Sequence, residues 1–95
     1  MNEFQRKCME VCDQVLVEFR ISPEEFHEVK GKSEFYFLKQ FTVEGRSYEI
    51  YLYEDEAGLM VGKEWLPCER YDFKSMEELA RALANKLRAQ LQKRK

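Results

Sequence analysis

The middle of the chain carries apolar side chains at every second position on both sides of a Glu44-Gly45 pair. Such alternation is typical of two β-strands that each bury one face, and a pair ending in glycine between them is typical of a two-residue hairpin turn. A turn of that length fixes the strand pairing, and a slip of one residue would turn every side chain to the other face. The hairpin therefore constrains the fold more than any other feature, and it predicts that Phe41 lies opposite Tyr48 and Phe37 opposite Leu52.

A third strand is predicted from Leu59 to about Trp65, after a four-residue turn over residues 55–58. Pro67 is predicted to end this strand, because proline lacks the N–H that continues a strand ladder. The spacing predicts two further pairs, Leu52 with Val61 and Tyr48 with Trp65. The result is a three-stranded antiparallel meander with one largely apolar face, on which the only cations are Lys39, Arg46 and Lys63.

Helical periodicity flanks the meander on both sides. Near the N-terminus one apolar stripe recurs at the spacing of a helix face, and it consists of Phe4, Cys8, Val11, Cys12, Val15, Leu16 and Phe19. Near the C-terminus, Ser75 is predicted to cap a second long helix with Glu78 as its capping-box partner. The stripe of that helix consists of Met76, Leu79, Ala80, Leu83, Leu87 and Leu91. Both helices are predicted to pack on the apolar face of the meander.

A short helix is predicted between the first long helix and the meander, over residues 23–30. Ser22 resembles an N-cap, Pro23 suits the first helical position, and Glu25 is placed to complete a capping box. Gly31 then favours a helix end. The alternative interpretation makes residues 26–30 a short strand.

These elements define an α+β fold of two layers, in the order α-(short α)-β-β-β-α. The 95 residues form a single domain, and 44% hydrophobic with 36% charged residues is the composition of a folded globular chain. The longest uncharged apolar stretch is too short to span a membrane, and the charged N-terminal helix does not resemble a signal peptide. Three cysteines form no dense framework, which favours a reducing, cytoplasmic location.

The face of the meander opposite the helices groups unusually many large side chains. Gln40, Thr42, Ser47, Glu49 and Glu64 are predicted to occupy the rest of that face. A contiguous apolar patch rich in tyrosine and methionine is typical of a protein interface. The sequence therefore predicts a non-catalytic module that binds a protein partner, or a second copy of itself, through Tyr36, Leu38, Tyr51, Tyr53 and Met60. In the alternative, the 23–30 helix or the loop after Pro67 covers this patch.

The C-terminal helix end supports a second function. Residues 86–95 hold five cations and no acid, so that the rest of the chain carries a net charge of −7. The cations are Lys86, Arg88, Lys93, Arg94 and Lys95, and they could bind nucleic-acid phosphates or simply complement the helix dipole. The predicted helix–three-strand–helix order is similar to that of double-stranded-RNA-binding domains. Such domains carry lysines where the final helix begins, whereas this chain has Ser75, Met76, Glu77 and Glu78 there.

No pattern of catalytic, metal-binding or cofactor-binding residues is present, and no enzyme activity, metal or cofactor is predicted. Cys8 and Cys12 lie four residues apart and could hold a metal together with Cys68 and His27, but both lie on the apolar stripe, where cysteine packs as a small hydrophobe. A pocket around His27 or Cys68 would favour an enzyme. The acidic turn over residues 54–56 lacks the spacing of a calcium loop.

Overall fold

The computed structural model describes residues 1–22 and 25–93, and within them two long helices lie on one face of a five-stranded antiparallel sheet. Each strand pairs with the next one along the chain. The elements are α1 (Glu3–Glu18), β1 (His27–Lys30), β2 (Phe35–Val43), β3 (Arg46–Leu52), β4 (Ala57–Val61), β5 (Glu64–Cys68), a 3-10 turn η1 (Arg70–Asp72) and α2 (Met76–Gln92). The predicted α+β class is confirmed, but the prediction of three strands is wrong.

Helix α1 begins at a capping box that also anchors it to the sheet. The Asn2 side chain accepts a hydrogen bond from the Gln5 backbone N–H at 2.7 Å, and the Gln5 side chain accepts one from the Asn2 N–H at 3.0 Å. Gln5 Nε2 also donates to the Leu52 carbonyl at 3.2 Å in a buried position. Because the capping side chain bonds to the last residue of β3, the start of the helix and the end of the strand are held together.

Ser75 is the N-cap of helix α2, as predicted. Ser75 Oγ accepts from the Glu78 N–H at 3.1 Å, while Glu78 Oε2 accepts from the Lys74 N–H and not from the cap residue itself. The buried stripe of α2 consists of Leu79, Ala80, Leu83, Ala84, Leu87 and Leu91. It packs against α1 and against β4 and β5, whereas α1 packs on β3.

The first hairpin has the predicted register. Phe41 pairs with Tyr48 and Phe37 with Leu52. Glu44 and Gly45 have φ angles of 50° and 81°, and positive φ at both central residues is the conformation of a type I′ turn. The side chains that point to the helices from these strands include Val43, Tyr48, Ile50 and Leu52, all of them buried.

The predicted short helix over residues 23–30 is wrong, and the alternative strand is confirmed as β1. His27 pairs with Leu38 and Lys30 with Phe35, so the segment adds a strand to the free edge of β2. The Gly31 N–H donates to the Glu34 carbonyl at 2.8 Å and closes the connecting turn. Backbone pairing along an open sheet edge outweighs the local helix signals, which included Pro23, a residue outside the described ranges.

The predicted third strand is two strands. A tight turn at Gly62, where φ is 62°, and Lys63 separates β4 from β5. Leu52 pairs with Ala57 and Tyr48 with Val61, so both predicted pairings of the second hairpin are wrong by four residues. Because side chains alternate between the faces with a period of two, a shift of four residues leaves each residue of β4 on its predicted face.

Strand β5 follows the turn at Gly62 and Lys63. It contradicts the predictions made for Pro67, Trp65 and Glu64. Pro67 lies within this strand and does not end it, because β5 is at the edge of the sheet, where proline is tolerated. Trp65 pairs with Met60 and lies on the face away from the helices, whereas Glu64 pairs with Val61 and lies on the helix side. Both residues were predicted on the opposite faces.

One cation is buried between the layers. Lys39 is 2% exposed, and its Nζ lies 2.6 Å from Asp13 Oδ1 on α1. The same Nζ lies 4.6 Å from the centroid of the Phe26 ring. A buried ammonium needs such partners, because its transfer from water is costly when it is unpaired. The pair therefore ties α1 to β2.

Candidate interaction face

The sheet face that points away from α1 and α2 is called the outer face here. Its strand residues are His27, Val29, Tyr36, Leu38, Gln40, Thr42, Ser47, Glu49, Tyr51, Gly58, Met60, Trp65 and Pro67, and Tyr53 extends it just beyond β3. In the part of the chain that the structure describes, no helix covers this face. The chain after β5 forms η1, which contacts α2 on the other side of the sheet. Of the two predicted covers, residues 27–30 form the edge strand β1 and the chain after Pro67 leads into η1, so among the described residues neither lies over this face.

Four aromatic rings on the outer face form an aromatic platform, which consists of Tyr36, Tyr51, Tyr53 and Trp65. The ring centroid of Tyr36 lies 5.2 Å from that of Tyr53 and 6.0 Å from that of Tyr51. Tyr51 stacks on Tyr53 at 6.2 Å and meets Trp65 edge-on at 5.5 Å. These are the offset and T-shaped arrangements that aromatic pairs favour, so each ring limits the movement of its neighbours.

Gly58 creates the space that Trp65 occupies. A Cβ atom at this position would lie 2.3 Å from Cη2 and 2.5 Å from Cζ2 of the indole. The indole therefore lies across the backbone of β4 and reaches Tyr51 on β3. Glycine is needed here for close approach, which is one of its specific uses within a strand.

The structure brings the five predicted interface residues onto one face but changes one of the predicted neighbours. Leu38 lies opposite Tyr51, as predicted, whereas Met60 lies opposite Glu49 and not beside Tyr53. All five side chains are half-buried, because the rings shield one another and their neighbours.

Trp65 belongs to this face and was missed as a site residue. Before Gly62 the inward apolar residues of β4 hold odd numbers, Leu59 and Val61, and after it they hold even numbers, Leu66 and Cys68. A change of parity around a Gly-Lys pair is the signal of a two-residue turn. This change of parity places the Trp65 side chain on the outer face.

Carboxylates lie among and beside the rings. Glu49 accepts hydrogen bonds from the Tyr51 hydroxyl at 3.1 Å and from Gln40 Nε2. Burial and then the bond to Glu49 raise the pKa of Tyr51 to about 12, so this hydroxyl stays protonated as a donor at neutral pH. Burial raises the pKa of Tyr53 as well, followed by the effects of Tyr36, Glu56 and Glu34.

A second group of carboxylates lies at the Tyr53 end of the platform. The pKa of Glu56 is raised first by burial and then by the nearby charges of Asp55, Glu69 and Glu34. These charges come from three separate connections, the β1–β2 turn, the β3–β4 turn and the residue between β5 and η1, which the meander brings to one end of the sheet. The outer face therefore carries aromatic rings and one carboxylate, Glu49, on its strands, and further carboxylates lie beyond the strand ends near Tyr53.

The basic C-terminal helix end lies on the other layer, and two of its five predicted cations are engaged within the chain. Lys86 Nζ donates to the Pro67 carbonyl at 2.7 Å. Arg88 forms a bidentate pair with Glu18, with two N–O distances of 3.0 Å. Lys93 is exposed, whereas Arg94 and Lys95 lie outside the described residues. The five-stranded sheet also departs from the helix–three-strand–helix order of double-stranded-RNA-binding domains.

The cysteines and the histidine do not meet. Cys8, Cys12 and Cys68 are buried and unpaired, and burial followed by the effect of Cys68 raises the pKa of Cys8 to about 12. His27 is exposed on β1, at the opposite edge of the sheet from Cys68. Among residues 1–22 and 25–93, no group of three or more metal-ligating side chains could hold an ion.

No described helix is both long enough and apolar enough to cross a membrane. Comparisons of the chain with protein-family models, with curated proteins and with solved structures find no match.

Proposed function

We propose that this chain is a non-catalytic interaction module that binds a protein partner through its outer face. The observation that carries the proposal is the aromatic platform, together with Leu38 and Met60, on a sheet face that no described helix covers. Large rings and methionine on an uncovered face are typical of protein interfaces.

The packing of the platform favours binding. Tyrosine and tryptophan offer a large contact area at a low cost in side-chain entropy, because each has only two side-chain torsions. The rings in this face already limit one another's movement, so that a partner would lose little of its binding free energy in ordering them. The Tyr51 hydroxyl is likewise fixed by its bond to Glu49.

The test is capture of partners by three immobilised proteins from an extract of the source cells. Tyr51→Ser with Tyr53→Ser removes two rings of the platform, and Val17→Ser removes an apolar side chain that is 63% exposed on α1. We expect proteins that bind the wild type and the Val17 variant but not the double variant, whose fold is checked by circular dichroism. The same set of proteins on all three would contradict the proposal.

In one version of the proposal the partner is a second copy of the chain, and two outer faces meet around a twofold axis. Light scattering would then give a dimer for the wild type and a monomer for Tyr51→Ser with Tyr53→Ser. A wild type that stays monomeric across the accessible concentrations rejects this version alone.

Nucleic-acid binding through Lys86, Arg88, Lys93, Arg94 and Lys95 is the weaker alternative, since Lys86 and Arg88 already have partners within the chain. A cytoplasmic location is inferred from three buried, unpaired cysteines, which suit a reducing compartment.

A further inference from the structure

We propose that the segment which docks on the outer face is basic, an extended stretch of a partner protein that carries arginine and lysine side chains. The inference rests on the proposed function and adds the charge of the partner to it. Charge complementarity between an aromatic, acidic face and a cationic segment carries the argument.

The outward side chains of the described strands include neither lysine nor arginine. Glu49 lies on β3, the central strand of the sheet, between Gln40 and Met60. At the Tyr53 end, the Tyr53 N–H donates to the Glu56 carbonyl at 2.9 Å, and Glu34 and Glu54 line one surface pocket. Burial raises the pKa of Glu56, followed by the charges of Asp55, Glu69 and Glu34. On the outward side of the strands a cationic partner would therefore meet no opposing cation, whereas at the Tyr53 end Lys30 and Lys32 line the same surface pocket as Glu34.

The Glu49 carboxylate can accept further hydrogen bonds. One of its oxygens accepts from the Tyr51 hydroxyl and the other from Gln40 Nε2, so that both oxygens are bonded to neighbours. A carboxylate oxygen has more than one lone pair, so a guanidinium or ammonium group could still bind. Because the side chain is already ordered, such a bond would cost little additional entropy.

The rings add an attraction of their own for cations. The face of a tyrosine or tryptophan ring is the negative end of its quadrupole, and arginine stacks on it favourably. Trp65 is 41% exposed and lies beside Tyr51, which itself bonds to Glu49. A guanidinium at this point would contact a ring and a carboxylate at the same time.

The same charges disfavour other occupants. Nucleic-acid phosphates would be repelled by Glu49 and by the acidic end of the platform. Two outer faces of the same chain would bring like carboxylates together, and like charges across an interface are unfavourable. A basic segment of another protein could form cation–π contacts with the rings and ion pairs with the carboxylates.

The experiment measures fluorescence anisotropy of a labelled peptide of alternating arginine and serine. It is run at about 20 mM and about 300 mM NaCl, between which the screening length falls from roughly 20 Å to roughly 6 Å. Glu49→Gln with Glu56→Gln removes two charges from the outer face without changing side-chain shape. Glu3→Gln with Glu10→Gln removes two charges from α1 and is the matched control. A peptide of alternating glutamate and serine and a labelled single-stranded oligonucleotide complete the set.

We expect the arginine peptide to bind the wild type at low salt and to be released at high salt. The outer-face variant should weaken this binding about tenfold, as two lost partly exposed ion pairs would, and the α1 variant should change it little. Tyr51→Ser with Tyr53→Ser should weaken it as well, which a purely electrostatic contact would not show.

Three results would overturn the inference: no binding of the arginine peptide, equal loss in the two charge variants, or binding of the oligonucleotide that Tyr51→Ser with Tyr53→Ser abolishes. If the peptide fails while the capture experiment yields a partner that needs Tyr51 and Tyr53, only the charge of the partner is wrong. If capture and light scattering also show no dependence on these tyrosines, the proposed function itself is wrong.

Discussion

At the scale of single residues, the position of Trp65 on the outer face requires that residue 58 has no side chain. The indole of Trp65 occupies the position that a methyl group would fill, at distances well inside van der Waals contact. Any side chain at residue 58 must therefore move the ring. This explains why a glycine, which usually weakens a strand, lies buried in β4.

Gly58→Ala is expected to lower the free energy of unfolding by about 1 kcal/mol, because the displaced indole loses its contact with Tyr51. Urea denaturation measures the change. In a Trp65→Ala background the same substitution should cost less, since the clash is no longer present. An equal cost in both backgrounds would show that the ring does not lie over Gly58.

At the scale of elements, the Lys39–Asp13 pair joins α1 to β2 through one buried ammonium. Lys39 is 2% exposed and the Asp13 side chain is 39% exposed, so the two members are desolvated very unequally. Loss of the aspartate leaves a buried charge, whereas loss of the lysine leaves a carboxylate that water can reach.

Asp13→Asn is expected to lower the free energy of unfolding by about 2 kcal/mol, while Lys39→Met is expected to change it little or raise it. The double variant should recover most of the loss, because methionine removes the charge that the aspartate neutralised. Urea denaturation of the three variants checks this order. A larger loss in Lys39→Met than in Asp13→Asn would mean that the ammonium is hydrated and not buried.

The sequence allowed the first hairpin and both long helices to be predicted, because each has a strong local signal. Glu44-Gly45 suits only a few turn conformations, and Ser75 caps α2 as expected. Of the two edge strands, β1 was predicted only as the alternative to the 23–30 helix, and β5 was not separated from the predicted third strand. β1 forms because β2 offers an unpaired edge, which local propensity does not reveal, and β5 was hidden by the assumption that Pro67 ends a strand.

At the scale of the whole molecule, α1 and α2 cover one face of the sheet, and no helix in the described ranges covers the other. The predicted outward group of tyrosines follows from strand pleating alone, and a register error of an even number of residues leaves it unchanged. Trp65 could not be placed on this face without the extra turn at Gly62. The acidic end of the platform was also missed, since it joins turns that are distant in sequence.

The layering also predicts where the molecule opens first. β1 pairs on one side only, and three of its four residues are exposed, whereas β3 and β4 are paired on both sides beneath the helices. Amide hydrogen exchange, measured by mass spectrometry, should therefore be fastest among the strands in β1 and slowest in β3 and β4. Protection in β1 equal to that in β3 would contradict this picture.

The indole over Gly58 is the only tryptophan of the chain. Because that ring lies in the proposed contact surface, its intrinsic fluorescence should change when a partner binds there. A bound partner would exclude water from the ring and shift its emission to shorter wavelength, and unlabelled protein would suffice to follow the titration.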